Sequence, residues 1–256
     1  MPCLTAPGWE INCEGIIFDK DGTLIDQGQA MLALGRERLR AILEMDGHEA
    51  TALWQETVGF EANTGHIDPQ GPLATAPAHE EAILTAGALY RGGQSWTQAL
   101  GIAMRAYALA DERLQAPFGA VLLEGVQDAL VRLREAGFRM AIATTDRRQR
   151  TLQMAHALGL TPYLDTIVCV DDVSKGKPAP DMVLDICRRL DLEPYQVVVV
   201  GDTESDMRMG RAAGAAACIG VRSGMNEGTG LAGLADVIFD SVAQLGGRRL
   251  TREFSG

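Results

Sequence analysis

Three short strand-like runs, each followed by polar residues, constrain the fold of this chain more than any other feature. The runs cover residues 15–18, 138–143 and 197–200, and they lead to Asp19, Thr144 and Asp202. Short apolar runs bounded by polar residues are typical of strands buried on both faces of a parallel sheet. The carboxyl ends of parallel strands lie at one edge of the sheet. These polar residues are therefore expected to converge there.

Strand and helix patterns alternate along the chain after about residue 118. Helices are predicted around 126–133, 147–158, 181–190 and 203–213, and strands near 166–170, 197–200, 215–219 and 237–239. Such alternation predicts an α/β fold, namely a doubly wound, mostly parallel Rossmann-like sheet with right-handed crossovers. The predicted core is formed by residues 1–27 and 118–256.

Residues 28–117 show a different pattern and are predicted to form an inserted α-helical cap domain. Helical stretches are expected around 32–43, 50–58, 78–90 and 95–110, while the Gly- and Pro-rich stretch 65–77 is expected to form a turn or long loop. Hinges are expected at about 26–29 and 116–119. In the cap, substrate contact and ordinary surface or packing roles both stay open for Arg36, Trp54, His66 and His79.

The segment that follows the first run concentrates charge in a few residues. Asp19, Lys20, Asp21 and Gly22 come in succession, and Asp-Gly is by itself a common turn dipeptide. The chain has three lysines against twenty arginines, and all three lie in this segment or in the stretch 174–178. A lysine retained in such a background indicates a position that requires a compact ammonium charge, which the planar guanidinium of arginine cannot replace.

Four segments in this order resemble the motifs of the haloacid dehalogenase superfamily. They are Asp19-Lys20-Asp21-Gly22-Thr23, Thr144, Lys177-Pro178, and Gly201-Asp202 with Asp206. The pattern is most similar to the phosphatases with a helical cap inserted after the first motif, the relatives of phosphoglycolate phosphatase and β-phosphoglucomutase. The resemblance runs from about residue 13 to about residue 245.

Phosphoryl-transfer chemistry and the resemblance give the same roles to the carboxylates. Asp19 is the expected nucleophile, which would form an aspartyl-phosphate and divide one difficult displacement into two easier ones. Asp21 is expected to protonate the leaving oxygen and then to take a proton from water. The expected cofactor is Mg²⁺, which prefers oxygen ligands, held by the carboxylates of Asp19 and Asp202 and the backbone carbonyl of Asp21.

The remaining motif residues are expected to hold the substrate phosphate. Thr144 would donate a hydrogen bond to a phosphoryl oxygen, with Thr145 and Gly22 beside it, and Asp21 also lies in this set. Lys177 would neutralise phosphoryl charge and position Asp19. Asp206 is expected to orient Lys177 or a metal-bound water. Many relatives carry Asn at the position of Thr145, and many carry an apolar residue at the position of Lys20. For Lys20 two interpretations stay open: it has a role at the site, or its side chain is directed away from it.

Composition limits the other classes of function. The net charge of −11 argues against nucleic acid as a partner, since nucleic-acid binding requires clustered lysine and arginine. No apolar run approaches the ~20 residues of a membrane span. The first residues lack the pattern of a secretory signal, and the five cysteines show no zinc-site spacing, so a cytoplasmic protein with reduced cysteines is expected. The oligomeric state is not predicted.

The sequence therefore predicts a Mg²⁺-dependent phosphatase of a small phosphorylated metabolite, similar to phosphoglycolate or a sugar phosphate. Three alternatives stay open. A phosphomutase would use the same aspartyl-phosphate and return the phosphoryl group to a second hydroxyl. A haloacid dehalogenase is disfavoured, because that chemistry needs neither Mg²⁺ nor an acid at position 21. A catalytically silent binding protein on the same fold is disfavoured by the presence of every motif residue.

Overall fold

The computed structural model describes residues 2–45, 48–114, 120–225 and 227–249. The chain divides into two compact units, one formed by Met1–Gln27 with Ala120–Gly256 and the other by Gly28–Gly119. The second predicted hinge, 116–119, lies outside the described residues.

The described residues of the two units form eleven strands and nine α-helices. The strands are β1 (Pro2–Ala6), β2 (Trp9–Asn12), β3 (Gly15–Phe18), β4 (Phe60–Glu61), β5 (His66–Ile67), β6 (Arg139–Thr144), β7 (Thr166–Cys169), β8 (Val197–Gly201), β9 (Ala217–Val221), β10 (Val237–Phe239) and β11 (Gly246–Arg249). The α-helices are α1 (Gln27–Glu44), α2 (Thr51–Val58), α3 (Pro72–Thr75), α4 (Ala78–Arg91), α5 (Trp96–Arg113), α6 (Val126–Ala136), α7 (Arg148–Ala157), α8 (Asp181–Leu190) and α9 (Glu204–Ala213).

A six-stranded, all-parallel sheet forms the centre of the first unit. Its strand order is β10-β9-β8-β3-β6-β7. The central strand β3 pairs with β8 on one side and β6 on the other, with Phe18 opposite both Val200 and Ile142. The predicted doubly wound α/β fold is confirmed. The strand predicted near 215–219 lies two residues later, as β9 begins at Ala217 and not at residue 215.

Alternate residues of each strand face two separate apolar cores, which explains why the strands are apolar throughout. Ile16 and Phe18 belong to one core, with apolar residues of α6 and α7. Ile17 belongs to the other core, with residues of α8 and α9. Helices therefore cover both faces of the sheet, and the functional residues are left to its carboxyl edge.

A second, antiparallel sheet of the first unit was not predicted from the sequence. Its strand order is β11-β1-β2, with Leu4 opposite Ile11 on one side and Gly247 on the other. The residues of β11 are Gly-Gly-Arg-Arg, which have low strand preference. Pairing with β1 decides their conformation, and strand preference depends strongly on such context.

The second unit is built from helices around its own apolar core, in which Trp54 is fully buried. Helices α4 and α5 pack against each other, and α5 begins at a capping box formed by Ser95 and Gln98. The prediction of a turn or long loop over 65–77 was wrong in part, because β5 and α3 lie within it. None of the helices in the described residues combines the length and apolar character that crossing a membrane requires.

Candidate active site

The carboxyl edge of the parallel sheet brings together polar residues from three adjacent strands. Asp19 directly follows β3, Thr144 is the last residue of β6, and Asp202 directly follows β8. The backbone N–H of Asp19 donates to the carbonyl of Val200 at 2.8 Å, so the strand pairing continues to the point where the first carboxylate appears. These positions are those expected for ligands of a doubly wound sheet.

The turn after Asp19 depends on Gly22. Its φ of +82° is disfavoured for other residues, and its N–H donates to the carbonyl of Ile25 at 2.9 Å. A Cβ at this position would lie 2.6 Å from Oδ2 of Asp202. Thr23 Oγ1 donates to Oδ1 of the same carboxylate at 3.3 Å. The turn thus packs directly on Asp202 and links the first and last motifs.

Lys177 lies between two carboxylates at this edge. Its side chain is 4% exposed, and its Nζ donates to Oδ1 of Asp19 and, at 2.6 Å, to Oδ1 of Asp206. The other oxygen of Asp206, Oδ2, accepts from the N–H of Thr203 at 3.1 Å and from its Oγ1 at 2.6 Å. Asp206 is therefore fixed by the capping box of α9 and holds the ammonium of Lys177 against Asp19.

Three carboxylates at this edge are close enough to bind one cation. Single oxygens of Asp19, Asp202 and Asp206 all lie within 4.8 Å of one another. Both oxygens of Asp206 already accept hydrogen bonds from Lys177 and Thr203. The geometry therefore favours Asp19 and Asp202 as the cation ligands, with Asp206 in a supporting position.

The charges of this group are unbalanced, and the pKa values reflect it. Burial, with the neighbouring carboxylates of Asp206 and Asp21, raises the pKa of Asp19 to about 6 despite the opposing effect of Lys177. Burial and the carboxylates of Asp19 and Asp206 raise the pKa of Asp202 to about 8. Burial lowers the pKa of Lys177, but Asp19 and Asp206 outweigh it and raise that pKa above its usual value.

This donor set suits a hard divalent cation. The group consists of three carboxylates and the ammonium of Lys177, which pairs with two of them, so it carries two excess negative charges when all four residues are ionised. Buried charge of one sign is costly unless it is compensated. All the available side-chain donors are oxygens, which Mg²⁺ prefers. The residues present therefore fit the divalent metal that the sequence predicts.

The two threonines of the second motif differ in their surroundings. Thr144 is 1% exposed, and its Oγ1 accepts a hydrogen bond from the N–H of Asp146 at 3.1 Å. Thr145 is exposed. The structure thus brings Thr144 into the edge beside Asp19 with a fixed hydroxyl, whereas the side chain of Thr145 points outward from the core.

Lys20, for which two interpretations were open, contacts the motif. It is 1% exposed, and its Nζ binds the Asp21 carboxylate and lies 3.0 Å from Oδ2 of Asp146. Burial lowers its pKa, but these two carboxylates raise it above the usual value. The scarcity of lysine was the signal that could have identified this residue. No comparable signal pointed to Asp146.

A further segment that the sequence did not reveal supports the same edge. Ser223, just beyond β9, donates from Oγ to the carbonyl of Gly22 at 2.7 Å. The next residue, Gly224, approaches the carboxylate of Asp202 so closely that a Cβ there would overlap it. This segment packs against Oδ2 of Asp202, whereas Thr23 donates to Oδ1, and nothing in its composition distinguishes it from an ordinary loop.

Comparison with known proteins identifies the family. Residues 13–214 match the haloacid dehalogenase-like hydrolase family. A plasmid-encoded phosphoglycolate phosphatase of Cupriavidus necator is 30% identical over 234 residues, which cover 91% of each chain. The crystal structure of a protein predicted to be a phosphoglycolate phosphatase, from Haemophilus somnus, has a TM-score of 0.61 at 18% identity, covering 90% of this chain and 95% of its own.

The fold is shared more widely than the sequence. A structure from Thermotoga maritima, proposed to be a β-phosphoglucomutase, has a TM-score of 0.62 at 21% identity and covers 90% of this chain and 95% of its own. At such identity the likeness concerns the fold alone. The family match and the Cupriavidus relative establish that the chain belongs to the haloacid dehalogenase-like hydrolases and is a phosphoric monoester hydrolase.

Proposed function

We propose that the protein is a Mg²⁺-dependent phosphatase of a small phosphorylated metabolite and works through an aspartyl-phosphate on Asp19. One observation carries the proposal: the carboxylates of Asp19 and Asp202 and the ammonium of Lys177 meet at the carboxyl edge of the sheet. A phosphomonoester is difficult to attack because its oxygens are negative. The protein must therefore supply positive charge and alignment more than unusual reactive groups.

The first step transfers the phosphoryl group to Asp19. Lys177 holds Oδ1 of Asp19, and we assign the attack on phosphorus to Oδ2. A bond forms between this oxygen and phosphorus while the bond from phosphorus to the leaving oxygen breaks. Asp21, in its protonated form, gives its proton to that oxygen, so the leaving group departs as an alcohol. Thr144 donates its hydroxyl to a phosphoryl oxygen.

The second step releases phosphate. A water molecule attacks phosphorus through its oxygen, and Asp21, now a carboxylate, takes a proton from that water. The bond between phosphorus and Oδ2 of Asp19 breaks, which restores the carboxylate and frees inorganic phosphate. Gly22 and the amide of Thr145 are proposed to contact the phosphate in both steps. The role of Gly28–Gly119 as a cap domain is also part of this proposal.

Asp19, Asp202 and the backbone carbonyl of Asp21 are the proposed ligands of Mg²⁺. When bound, the cation would neutralise phosphoryl and carboxylate charge at this edge. The closely spaced oxygens of Asp19 and Asp202 and their raised pKa values support this assignment.

Phosphoglycolate is the first substrate to test. The support is the name of the Cupriavidus relative, which is similar over nearly the whole length of both chains. Sugar phosphates form the next class, since any small alcohol can serve as the leaving group. A cytoplasmic location stays a prediction, with which the five buried free cysteines agree.

The test is phosphate release from a panel of phosphorylated metabolites, with Mg²⁺ and with EDTA. Wild type is compared with Asp19→Asn and with Asp128→Asn, which makes the same change at an exposed carboxylate of α6. We expect metal-dependent release by wild type and Asp128→Asn on a few related substrates, and none by Asp19→Asn.

Two results would count against the proposal. Release that persists in EDTA would contradict the metal requirement. Conversion of a sugar phosphate to its isomer, dependent on a bisphosphate activator and without release of phosphate, would instead identify a phosphomutase.

A further inference from the structure

We infer that Lys20 is a positioning residue that holds the Asp21 carboxylate in place for proton transfer to the leaving group. The inference rests on the proposed function, in which Asp21 is the acid of the first step. The side chain of Lys20 is 2% exposed, while those of Asp21 and Asp146 are 34% and 30% exposed. The ammonium is thus anchored inside the unit, and the carboxylate that it holds faces outward.

Every donor of the Lys20 ammonium has a partner within the protein. An ammonium has three N–H donors. Nζ of Lys20 binds Oδ2 of Asp21, lies 3.0 Å from Oδ2 of Asp146 and lies 3.7 Å from Sδ of Met154 in α7. A group whose donors are all used internally is poorly suited to bind a substrate phosphate directly. Its effect on the reaction must therefore pass through the residues that it holds.

The contacts of Lys20 leave one oxygen of Asp21 for chemistry. The ammonium binds Oδ2. The other oxygen, Oδ1, is then the one that gives the proton to the leaving group. Without the ammonium, the partly exposed Asp21 side chain would be free to rotate about χ1 into solvent, and each rotation would remove the acid from the leaving oxygen.

Lys20 also ties the first motif to the second. Asp146, its other charged partner, donates its N–H to Oγ1 of Thr144 at 3.1 Å. The turn after β3 and the turn after β6 are thereby joined through one ammonium. The carboxylate that protonates the leaving oxygen and the hydroxyl proposed to bind the phosphoryl group are then held in fixed relation.

A lysine suits this position better than an arginine. The compact ammonium can direct its three donors to two carboxylates and a thioether, whereas the planar guanidinium requires a flat arrangement of acceptors. The chain uses arginine for nearly all of its other positive charges. The identity of residue 20 therefore follows from the geometry of the three acceptors around it.

The test compares Lys20→Met with Lys175→Met, which makes the same change at the exposed lysine 175. The measured quantity is kcat/KM, since it reports the first phosphoryl transfer and not the later hydrolysis. Substrates range from p-nitrophenyl phosphate, whose leaving group departs without a proton, to phenyl phosphate and alkyl phosphates, whose leaving groups need one. The loss in Lys20→Met should rise from less than about threefold to ~10²-fold along this series, the scale of general acid catalysis.

A structural role alone would give a different pattern. Lys20→Met would then lower kcat/KM by the same factor for every substrate, and that result would overturn the inference. Lys175→Met should match wild type throughout. Asp146→Asn, which removes one partner of the ammonium, should show the same trend as Lys20→Met with a smaller loss.

A double-mutant cycle identifies the residue through which Lys20 acts. Added to Asp21→Asn, the Lys20→Met change should cause no further loss of kcat/KM on phenyl phosphate, whose leaving group needs a proton, because the carboxylate that Lys20 positions is already absent. A further loss equal to the one in the wild-type background would contradict the inference.

A structural measurement separates this inference from the proposed function. If wild type releases no phosphate from any substrate, the proposed function fails. Crystal structures of wild type and Lys20→Met still test whether Lys20 holds the carboxylate. We expect Asp21 to occupy one orientation in wild type and a different or divided one in the variant. An unchanged Asp21 in Lys20→Met would refute the positioning role.

Discussion

Each unit of the protein buries a cluster of charged side chains, and the two clusters differ in their balance of charge. In the helical unit, Arg38 is 3% exposed and forms an ion pair with Glu81, which is 2% exposed. At the edge of the parallel sheet, Asp19, Asp202 and Asp206 lie close together, and the ammonium of Lys177 pairs with Asp19 and Asp206.

Hydrogen bonds and a ring contact link the side chains of the cluster in the helical unit. Tyr107 donates to Glu81 at 3.4 Å and is linked to Thr85 at 2.9 Å, and the guanidinium of Arg38 lies 4.4 Å from the centre of the Tyr107 ring. One positive charge meets one negative charge. Such a balanced pair indicates a structural role, because burial is compensated within the protein.

The cluster at the sheet edge lacks this compensation. Burial, followed by the neighbouring carboxylates, raises the pKa values of Asp19 and Asp202 to about 6 and about 8. Perturbed pKa values of this kind are typical of functional sites. Burial also raises the pKa of Glu81 in the helical unit. The comparison therefore teaches that uncompensated charge, and neither burial nor a raised pKa alone, distinguishes the candidate active site from the buried structural pair.

The largest expected effect follows from replacing the proposed nucleophile of the unbalanced cluster. Asp19→Asn should lower kcat for phosphate release by ~10³-fold or more, because the covalent intermediate cannot form. The measurement is steady-state phosphate release at saturating substrate and Mg²⁺. Asp128→Asn, at an exposed carboxylate, should keep the wild-type rate. Equal activity of the two variants would exclude Asp19 as the nucleophile.

The next largest effect follows from removing the ion pair of the balanced cluster. Arg38→Met should lower the free energy of unfolding by about 3–5 kcal/mol, because it leaves the buried carboxylate of Glu81 without its partner. Arg36→Met, two residues away on the exposed side of α1, serves as the control and should change it little. Urea unfolding of the full chain followed by circular dichroism gives both values. A loss as small as that of Arg36→Met would show that the pair is not structural.

Mg²⁺ should stabilise the folded protein by binding at the unbalanced cluster of the sheet edge. With Mg²⁺ at a hundred times its dissociation constant, mass action predicts a gain of about 2.7 kcal/mol in the free energy of unfolding. Calorimetry of the metal-free protein with and without added Mg²⁺ measures it as a rise in Tm. Asp202→Asn should abolish the rise, whereas Asp128→Asn should retain it. A rise that survives in Asp202→Asn would place the cation elsewhere.

The smallest expected effect has a sign opposite to that of Arg38→Met. In EDTA, Asp202→Asn should raise the free energy of unfolding by ~1 kcal/mol, because burial and the neighbouring carboxylates disfavour the ionised form of Asp202 in the folded state, whereas an amide carries no charge. The amide oxygen can still accept the hydrogen bond from Thr23. Unfolding in urea with EDTA tests the sign, and a destabilised variant would contradict the claim of excess charge.

Much of the fold could be predicted from the sequence because its strands are apolar on both faces. The runs ending at Asp19, Thr144 and Asp202 needed no partner to be recognised as buried strands. The antiparallel sheet of β1, β2 and β11 could not be predicted in this way. Its last strand is Gly-Gly-Arg-Arg, and only pairing with β1 makes it extended.

The candidate site was predictable where its residues lie at the ends of strands. Contacts that arise from packing between distant segments were not. Lys20 meets Asp146 across 126 positions of the chain, and Ser223 meets Gly22 across 201. Neither pairing leaves a periodic pattern in the sequence, so only the structure reveals that these side chains support the site.

The most direct test of the central claim is detection of the phosphorylated intermediate on Asp19. Wild-type protein and Asp19→Asn are mixed with excess phosphorylated substrate and Mg²⁺, quenched in acid within milliseconds and analysed by peptide mass spectrometry. The account predicts a phosphoryl group on the wild-type peptide that contains Asp19, forming before phosphate is released and absent from the variant. Release of phosphate by wild type without a phosphorylated Asp19 at any time would contradict it.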